Sequence, residues 1–187
     1  MGLPAGLLPG DVNIEIFASP TRFGKCLFVQ NGTTKPFHEL PLIVIAMLCP
    51  ECFENKKAVK ALKMMGIKQE AMVEQYNYCN RGRLDSTPDV STSGKLTKEF
   101  VDCGRRGKCS GENLVCSQLV IEGSKITHRE RECLVHLGKS LKDQQIMSEM
   151  GFNSITAVNS LMQRLREKTG CKDRTEMAMK AREIGII

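Results

Sequence analysis

Ile126-Thr-His-Arg-Glu-Arg-Glu-Cys-Leu134 opens, and Asp173-Arg-Thr-Glu-Met-Ala-Met-Lys-Ala-Arg-Glu-Ile-Gly-Ile-Ile187 closes, the stretch whose reading decides the fold. Thr127 followed three residues later by Glu130 is a capping-box pattern, in which each side chain covers a backbone N–H that the first helical turn leaves without a partner. It predicts a helix to about Lys139 with Cys133, Leu134 and Leu137 on one face. Asp143 to Met150 reads as a short second helix with Ile146, Met147 and Met150 inward, and Gly151 stands where a left-handed exit favours glycine. Ser154 caps a third helix whose Ile155, Val158, Leu161, Met162 and Leu165 recur at three-to-four spacing, and Gly170 ends it. Asp173 and Glu176 repeat the capping-box pattern before a fourth helix with Met177, Ala178, Ala181 and Ile184, closed by Gly185.

Two helices joined by a tight turn, the second with a polar and basic outer face, are the arrangement that lays one helix in the major groove of DNA. The residues also resemble the helix-turn-helix domain of the LuxR-type (NarL/FixJ-type) bacterial transcription regulators. The resemblance is carried by Thr127-x-Arg129-Glu130-x-Glu132-x-Leu134, Ile146, Ser154-x-x-x-Val158, Gly170-x-x-x-Arg174-Thr175-Glu176 and Ala181-Arg182-Glu183-x-Gly185. It covers residues 126–187 without a gap.

The resemblance implies double-stranded DNA as partner, with the third helix in the major groove. Ser154, Thr156, Asn159, Ser160 and Gln163 would lie at that surface, and Arg164, Arg166 and Lys168, with Lys172 and Arg174, would meet phosphates. It also implies a homodimer through the fourth helix, with Met177, Ala181 and Ile184 as interface positions, and RNA polymerase as a further partner. The chain departs from the family at Ser140, where glycine is usual, and at Met147, Ala157, Asn159 and Leu161, where alanine, threonine, lysine and histidine are usual. An asparagine at 159 can pair bidentately with adenine but gives up the phosphate attraction of a lysine. The competing reading of these helices is a small bundle that docks another protein.

Composition agrees with a globular regulator. Apolar residues are 41% and charged residues 26% of the 187, and the net charge is +6. Residues 126–187 hold 11 basic against 8 acidic side chains and the rest of the chain 16 against 13, so each part has a modest basic excess. Phosphate binding needs only a local patch. Aromatics are 5% with no tryptophan, so an aromatic platform for stacked bases is not the natural reading. No run approaches the roughly 20 apolar residues of a membrane span. The first ten residues have no Lys or Arg and are broken by Pro4 and Pro9, unlike a secretory signal. A cytoplasmic protein, bacterial or phage-borne, is expected.

Before the hinge expected at Glu122-Gly123-Ser124 the chain reads differently. Residues 1 to 10 look like a loose leader. Val12 to Phe17 and Lys25 to Gln30 read as strands, the second followed by the turn signal Asn31-Gly32. Pro36 and Pro41 bracket a connector, and the apolar run from Leu42 reads as a buried strand to Leu48. Helices are expected over Glu54–Met65 and Lys68–Tyr78, a loop over Asn80–Gly94, and a last strand over Leu114–Ile121. The expected fold class is therefore α+β: a cysteine-containing α/β module over 1–121, then an all-α four-helix domain over 126–187. Neither a phosphorylated receiver nor an aromatic-lined autoinducer pocket is visible in the first part.

Nine cysteines, an odd number, point to metal or redox chemistry rather than to a disulfide scaffold. Cys49-Pro50-Glu51-Cys52 has the spacing of a zinc knuckle, and Cys79, Cys103, Cys109 and Cys116 follow, the last three among Gly104, Gly107 and Gly111. These six are the candidate metal ligands, for structural zinc or, alternatively, an iron–sulfur cluster that senses a signal. His38 could replace one of them. Cys26, Cys133 and Cys171 read as packing residues. The enzyme alternative is a thiol–disulfide oxidoreductase or redox switch with Cys49 as nucleophile and Cys52 as resolving thiol, because a helix starting at this motif would lower the first thiol's pKa. Pro88, in a polar loop with no strand behind it, does not supply the proline that faces the thiols in such folds, and no enzyme is expected.

Overall fold

Asn31 and Gly32 both take positive φ, 51° and 72°, the pair of left-handed residues that a tight two-residue hairpin requires. In the computed structural model, which describes residues 2–187, they join β2 (Cys26–Gln30) to β3 (Thr33–Pro36). β1 (Glu15–Ala18) pairs with the other side of β2, giving an antiparallel sheet in the order β1-β2-β3 with Ile16 opposite Phe28. β3 lies between the turn signal Asn31-Gly32 and the connector expected between Pro36 and Pro41, where no strand was expected. It is exposed along its whole length, so it has no hydrophobic pattern to announce it.

The expected leader is built in. Ala5 N–H donates to the Asp85 carbonyl, Gly6 N–H to the Asp11 carboxylate, and Gly32 N–H to the Gly6 carbonyl. Gly6 takes φ 71°, and a Cβ there would lie 2.5 Å from the Val29 carbonyl oxygen, so this close approach to the sheet admits only glycine.

The expected strand from Leu42 is a helix, α1 (Leu42–Phe53). Val44, Leu48 and Cys52, four residues apart, form its buried stripe, while Leu42 and Ile43 are exposed. A run of apolar residues on all sides cannot separate strand from helix; the four-residue repeat continuing through Cys52 is the helical signal. Pro41 just before the first turn costs no hydrogen bond. Asn55 caps α2 (Lys56–Met64), its side chain accepting from Ala58 N–H, and α3 (Met72–Asn80) follows.

Ile14, Ile16, Phe28, Phe37, Leu40, Val44, Leu48 and Val90 form a core under the sheet, and Cys52, Ala58, Leu62, Met72, Tyr76 and Val115 form another among the three helices. Burial of such side chains stabilises by about 25 cal/mol per Å² removed from water. The segment after α3 has little regular structure, but Ile14 and Val90 exchange backbone hydrogen bonds at 3.0 Å.

The chain divides into two compact units, Met1–Ser117 and Gln118–Ile187. Glu122-Gly123-Ser124, expected as the hinge, is the turn of a hairpin in the second unit, β4 (Val120–Ile121) with β5 (Ser124–Lys125). Glu122 and Gly123 both have positive φ, and Leu119, Ile121 and Ile126 are buried. The strand expected over Leu114–Ile121 shrinks to β4, because residues 111–116 form turns. Four helices follow: α4 (His128–Gly138), α5 (Asp143–Glu149), α6 (Ile155–Thr169) and α7 (Arg174–Glu183). The chain is thus mixed α+β. No helix among the described residues is long and apolar enough to cross a membrane.

Candidate functional site

In the second unit the capping boxes do more than start helices. Glu130 accepts from Thr127 N–H at 2.8 Å and Thr127 Oγ1 at 2.9 Å, and Lys168 Nζ donates to the same oxygen at 2.8 Å. This ties the start of α4 to the end of α6. Burial alone would raise the Glu130 carboxyl, but the Lys168 and Thr127 hydrogen bonds outweigh it and hold it below the usual range. Arg129 donates to the Met150 carbonyl at 3.0 Å and lies over the Phe152 ring, fixing the turn between α5 and α6. Arg174 pairs with Asp143, joining the starts of α7 and α5. Four residues that carry the family resemblance, Thr127, Arg129, Glu130 and Arg174, therefore hold the helices in place.

Ser154 caps α6 through Ala157 N–H. Val158, Leu161, Met162 and Leu165 are buried, and Thr156, Asn159, Ser160 and Gln163 are exposed on the opposite face. Ile155, expected inward, is 39% exposed at the first position of the helix. At 100° per residue Arg164 and Arg166 lie roughly 80° to either side of Thr156. Both arginines are exposed, and neither guanidinium has an ion pair or hydrogen bond among the described residues. The outward face is thus uncharged hydrogen-bonding side chains flanked by guanidinium groups, with Glu167 drawn toward Gln163 at 3.3 Å near the far end.

Two expectations need correction. Lys168 is not a free phosphate contact: its ammonium is held by the Lys125 carbonyl and Glu130. Arg174 is likewise engaged by Asp143. Met177 and Ala181 cannot be interface positions either, since both are fully buried within the unit, where α7 packs on α4; Ile184 is half-buried. Met179 is the exposed apolar residue of α7. Leu161, where the family has histidine, is a core residue.

The six candidate thiols separate. Cys49 and Cys52 lie in the last turns of α1, so the motif ends a helix instead of starting one, and the helix N-terminus that would acidify Cys49 is absent. Cys52 is fully buried, donates weakly to the Met72 carbonyl, and is pushed up to about 11, by burial first and then by Cys49 and Glu51. Both facts oppose a reactive thiol pair. The other four are set by two buried polar residues. Asn80, next to Cys79 at the end of α3, donates to the Val115 carbonyl at 2.8 Å and accepts from Ser117 N–H and Oγ at 3.0 Å, which brackets Cys116. Arg106 donates to the carbonyls of Val101 and Ser117 at 3.0 and 2.9 Å, binding the Cys103 loop to the same strand of chain. Gln75 donates to Cys79 Sγ at 3.4 Å and lines a cavity of about 300 Å³ with Cys109 and Arg105.

Burial above all, and then the neighbouring thiols of Cys116, Cys103 and Cys109, push Cys79 up to about 12, against the Gln75 hydrogen bond. Burial also raises Cys116, which Arg106 partly offsets. His38 is exposed and lines a different cavity, whose walls include none of these four cysteines. Among the described residues no three His, Cys, Asp or Glu side chains already stand grouped to hold a metal ion. Cys26, Cys133 and Cys171 are buried. Asn80, Gln75 and Arg106 had no local signal in the sequence, because their partners lie far along the chain or in loops.

A deeper cluster lies under β1. Arg81, fully buried, makes a two-pronged pair with Glu51 at 2.7 and 3.0 Å and bonds Asn77 at 2.9 Å. Its Nε is 3.8 Å from Asp89, whose other oxygen accepts from Ile16 N–H. Glu15 accepts from Asp85 and Asp89 N–H. Burial pushes Glu15 up to about 8, Asp89 to about 9 and Glu99 to about 7. Burial would raise Glu51 too, but Arg81 and Lys98 hold it low.

No protein-family model, curated protein or solved structure matches the chain.

Proposed function

We propose that the chain is a cytoplasmic, DNA-binding transcription regulator in which α6 enters the major groove. The observation that carries the reading is the outer face of α6: Thr156, Asn159, Ser160 and Gln163 can all read base edges, and Arg164 and Arg166 flank them where phosphates would lie. The helix is 15 residues, about 22 Å at 1.5 Å per residue, enough to cross the groove. Four helices over residues 128–183, the number that the LuxR-type resemblance implies, support it further. Ser140 takes φ 62° where that family has glycine, and Gly151 and Gly185 end α5 and α7 in the same left-handed conformation. A homodimer through α7 would use Met179 and its neighbours on the exposed face, and RNA polymerase is the partner expected of such a regulator.

Selection of bound sequences from a random DNA pool, followed by fluorescence anisotropy, tests this. The expected result is a defined enriched site. Asn159→Ala or Gln163→Ala should each cost about 1–3 kcal/mol of discrimination between that site and random DNA. Arg164→Ala combined with Arg166→Ala should weaken both alike and lower the salt slope by about two. An unenriched pool, or equal loss on both DNAs in Asn159→Ala, would sink the assigned roles.

A further inference from the structure

Cys79, Cys103, Cys109 and Cys116 sit on three separate stretches of the first unit that buried side chains hold together. Asn80 clamps the chain on both sides of Cys116 beside Cys79, and Arg106 ties the segment before Cys103 to Ser117. Cys79 and Cys103 pack against the same apolar core. Gln75 touches Cys79 and faces the cavity lined by Cys109. All four are half-buried free thiols. Asn80 and Arg106 thereby satisfy loop carbonyls and, with Gln75, fix the chain around the four thiols, of which no three among the described residues yet stand grouped as metal ligands.

We propose that these four cysteines bind one thiophilic divalent cation, zinc in the cell, and that Cys49 and Cys52 take no part. A zinc ion needs four soft donors at about 2.3 Å. Binding breaks four S–H bonds, releases the protons to solvent and forms four Zn–S bonds with no change of oxidation state. Arg106 and Arg105 lie beside the thiolates and offset the resulting negative charge. Drawing the thiols inward moves the 103–111 loop, where Gly104 and Gly107 already have positive φ. The site lies within the first unit, so the inference stands independently of DNA binding.

Cobalt(II) titration of the reduced full-length chain tests it, because tetrahedral cobalt reports its ligands by its visible d–d bands and by charge transfer from each thiolate. One equivalent with the charge-transfer intensity of four thiolates is expected, displaced by zinc. Cys109→Ser and Cys116→Ser should each weaken cobalt binding at least roughly tenfold, the lower range for disturbing even supporting residues of a metal site. Cys49→Ser and Cys52→Ala should leave it unchanged. Circular dichroism of the half-buried Cys109→Ser variant shows that it is folded. Absence of a cobalt spectrum, retention of full binding in the Cys109→Ser, Cys116→Ser double variant, or loss on Cys49→Ser would overturn the assignment.

Discussion

In the second unit the hydrogen bonds that start three of the helices join residues three apart, Thr127 with Glu130, Ser154 with Ala157 and Asp173 with Glu176, and longer ties such as Lys168 to Glu130 across 38 residues then join one helix to another. In the first unit the comparable bonds run from Asp85 and Asp89 to Glu15 across 70 and 74 residues, from Ile16 to Asp89 across 73, and from Arg81 to Glu51 across 30. The burial differs in the same sense. Buried polar residues of the second unit are Glu130 and Thr169, whereas the first buries Glu15, Gln75, Asn77, Asn80, Arg81, Asp89 and Arg106. One unit starts its helices with local caps around an apolar core and adds a few polar ties at its surface. The other is specified by polar contacts that exist only once distant segments have met, and those contacts leave charges in a poorly solvated interior.

The comparison is broken most directly at Arg81. Replacing it by Leu removes the two-pronged partner of Glu51, leaving that carboxylate with Lys98 alone, and also the partner of Asn77, a change of the kind that costs about 3–5 kcal/mol when a buried pair loses one member. Both tyrosines of the chain, Tyr76 and Tyr78, are in the first unit. Tyrosine emission therefore follows that unit alone, while far-ultraviolet dichroism follows both. In urea, Arg81→Leu should shift the tyrosine transition strongly and leave the helical transition of the second unit in place. A shift under about 1 kcal/mol would mean that the arginine is incidental to the fold.

The units should also respond to pH in opposite directions. Glu15, Asp89 and Glu99 have native pKa values near 8, 9 and 7, above the 4.5, 3.8 and 4.5 of the unfolded chain. Between these values the native state binds more protons, so the stability they contribute is full below about pH 4 and is lost as pH rises toward 9. Glu51 in the same unit, held low by Arg81 and Lys98, works against them at the acid end. Glu130 in the second unit is held below its unfolded value, so its contribution is present above pH 4.5 and is lost as pH falls further. The tyrosine-monitored melting temperature should fall from pH 5.5 to pH 8.5 while the second unit's stays level, and Asp89→Asn should flatten the fall. A first unit that gains stability over that range would refute the buried neutral carboxyls.

The same contrast explains what was legible in the sequence. Thr127, Ser154, Gly170 and Asp173 mark helix ends through their immediate neighbours, and α4 to α7 begin and end within about two residues of the positions those signals give. The outer face of α6 followed from its spacing, but the engagement of Lys168 with Glu130 did not, because 38 residues separate them. In the first unit the hairpin at Asn31-Gly32 was visible and β3 was not, having no buried residue to create alternation. Leu42 to Leu48, the first part of α1, reads as a strand because its length and its Leu, Ile and Val content fit either structure. Of the six cysteines picked out by residue type, only the fold separates Cys49 and Cys52, in the last turns of α1, from the four on chain segments that Asn80, Arg106 and Gln75 contact. Nothing adjacent to Asn80 announces that it holds Val115 and Ser117.

The smallest effect concerns a helix end where the local signal is imperfect. After α4, Ser140 N–H donates to the Leu137 carbonyl at 2.8 Å and Leu141 N–H to the His136 carbonyl at 3.1 Å, with Ser140 at φ 62°. Gly151 after α5 and Gly185 after α7 make the same pair of bonds, Gly151 to Ser148 with Phe152 to Met147, and Gly185 to Arg182 with Ile186 to Ala181. Three helices of one unit thus end alike, two on glycine and one on serine. The left-handed conformation costs a residue with a Cβ roughly 1–2 kcal/mol, and the extra freedom of glycine in the unfolded chain returns roughly 0.5–1 of that. Ser140→Gly should therefore stabilise the second unit by about 0.5 kcal/mol, read as a later helical transition in urea with the tyrosine transition unmoved. A loss of stability instead would mean that the serine hydroxyl contributes at this turn, and that the local account of the second unit omits a contact.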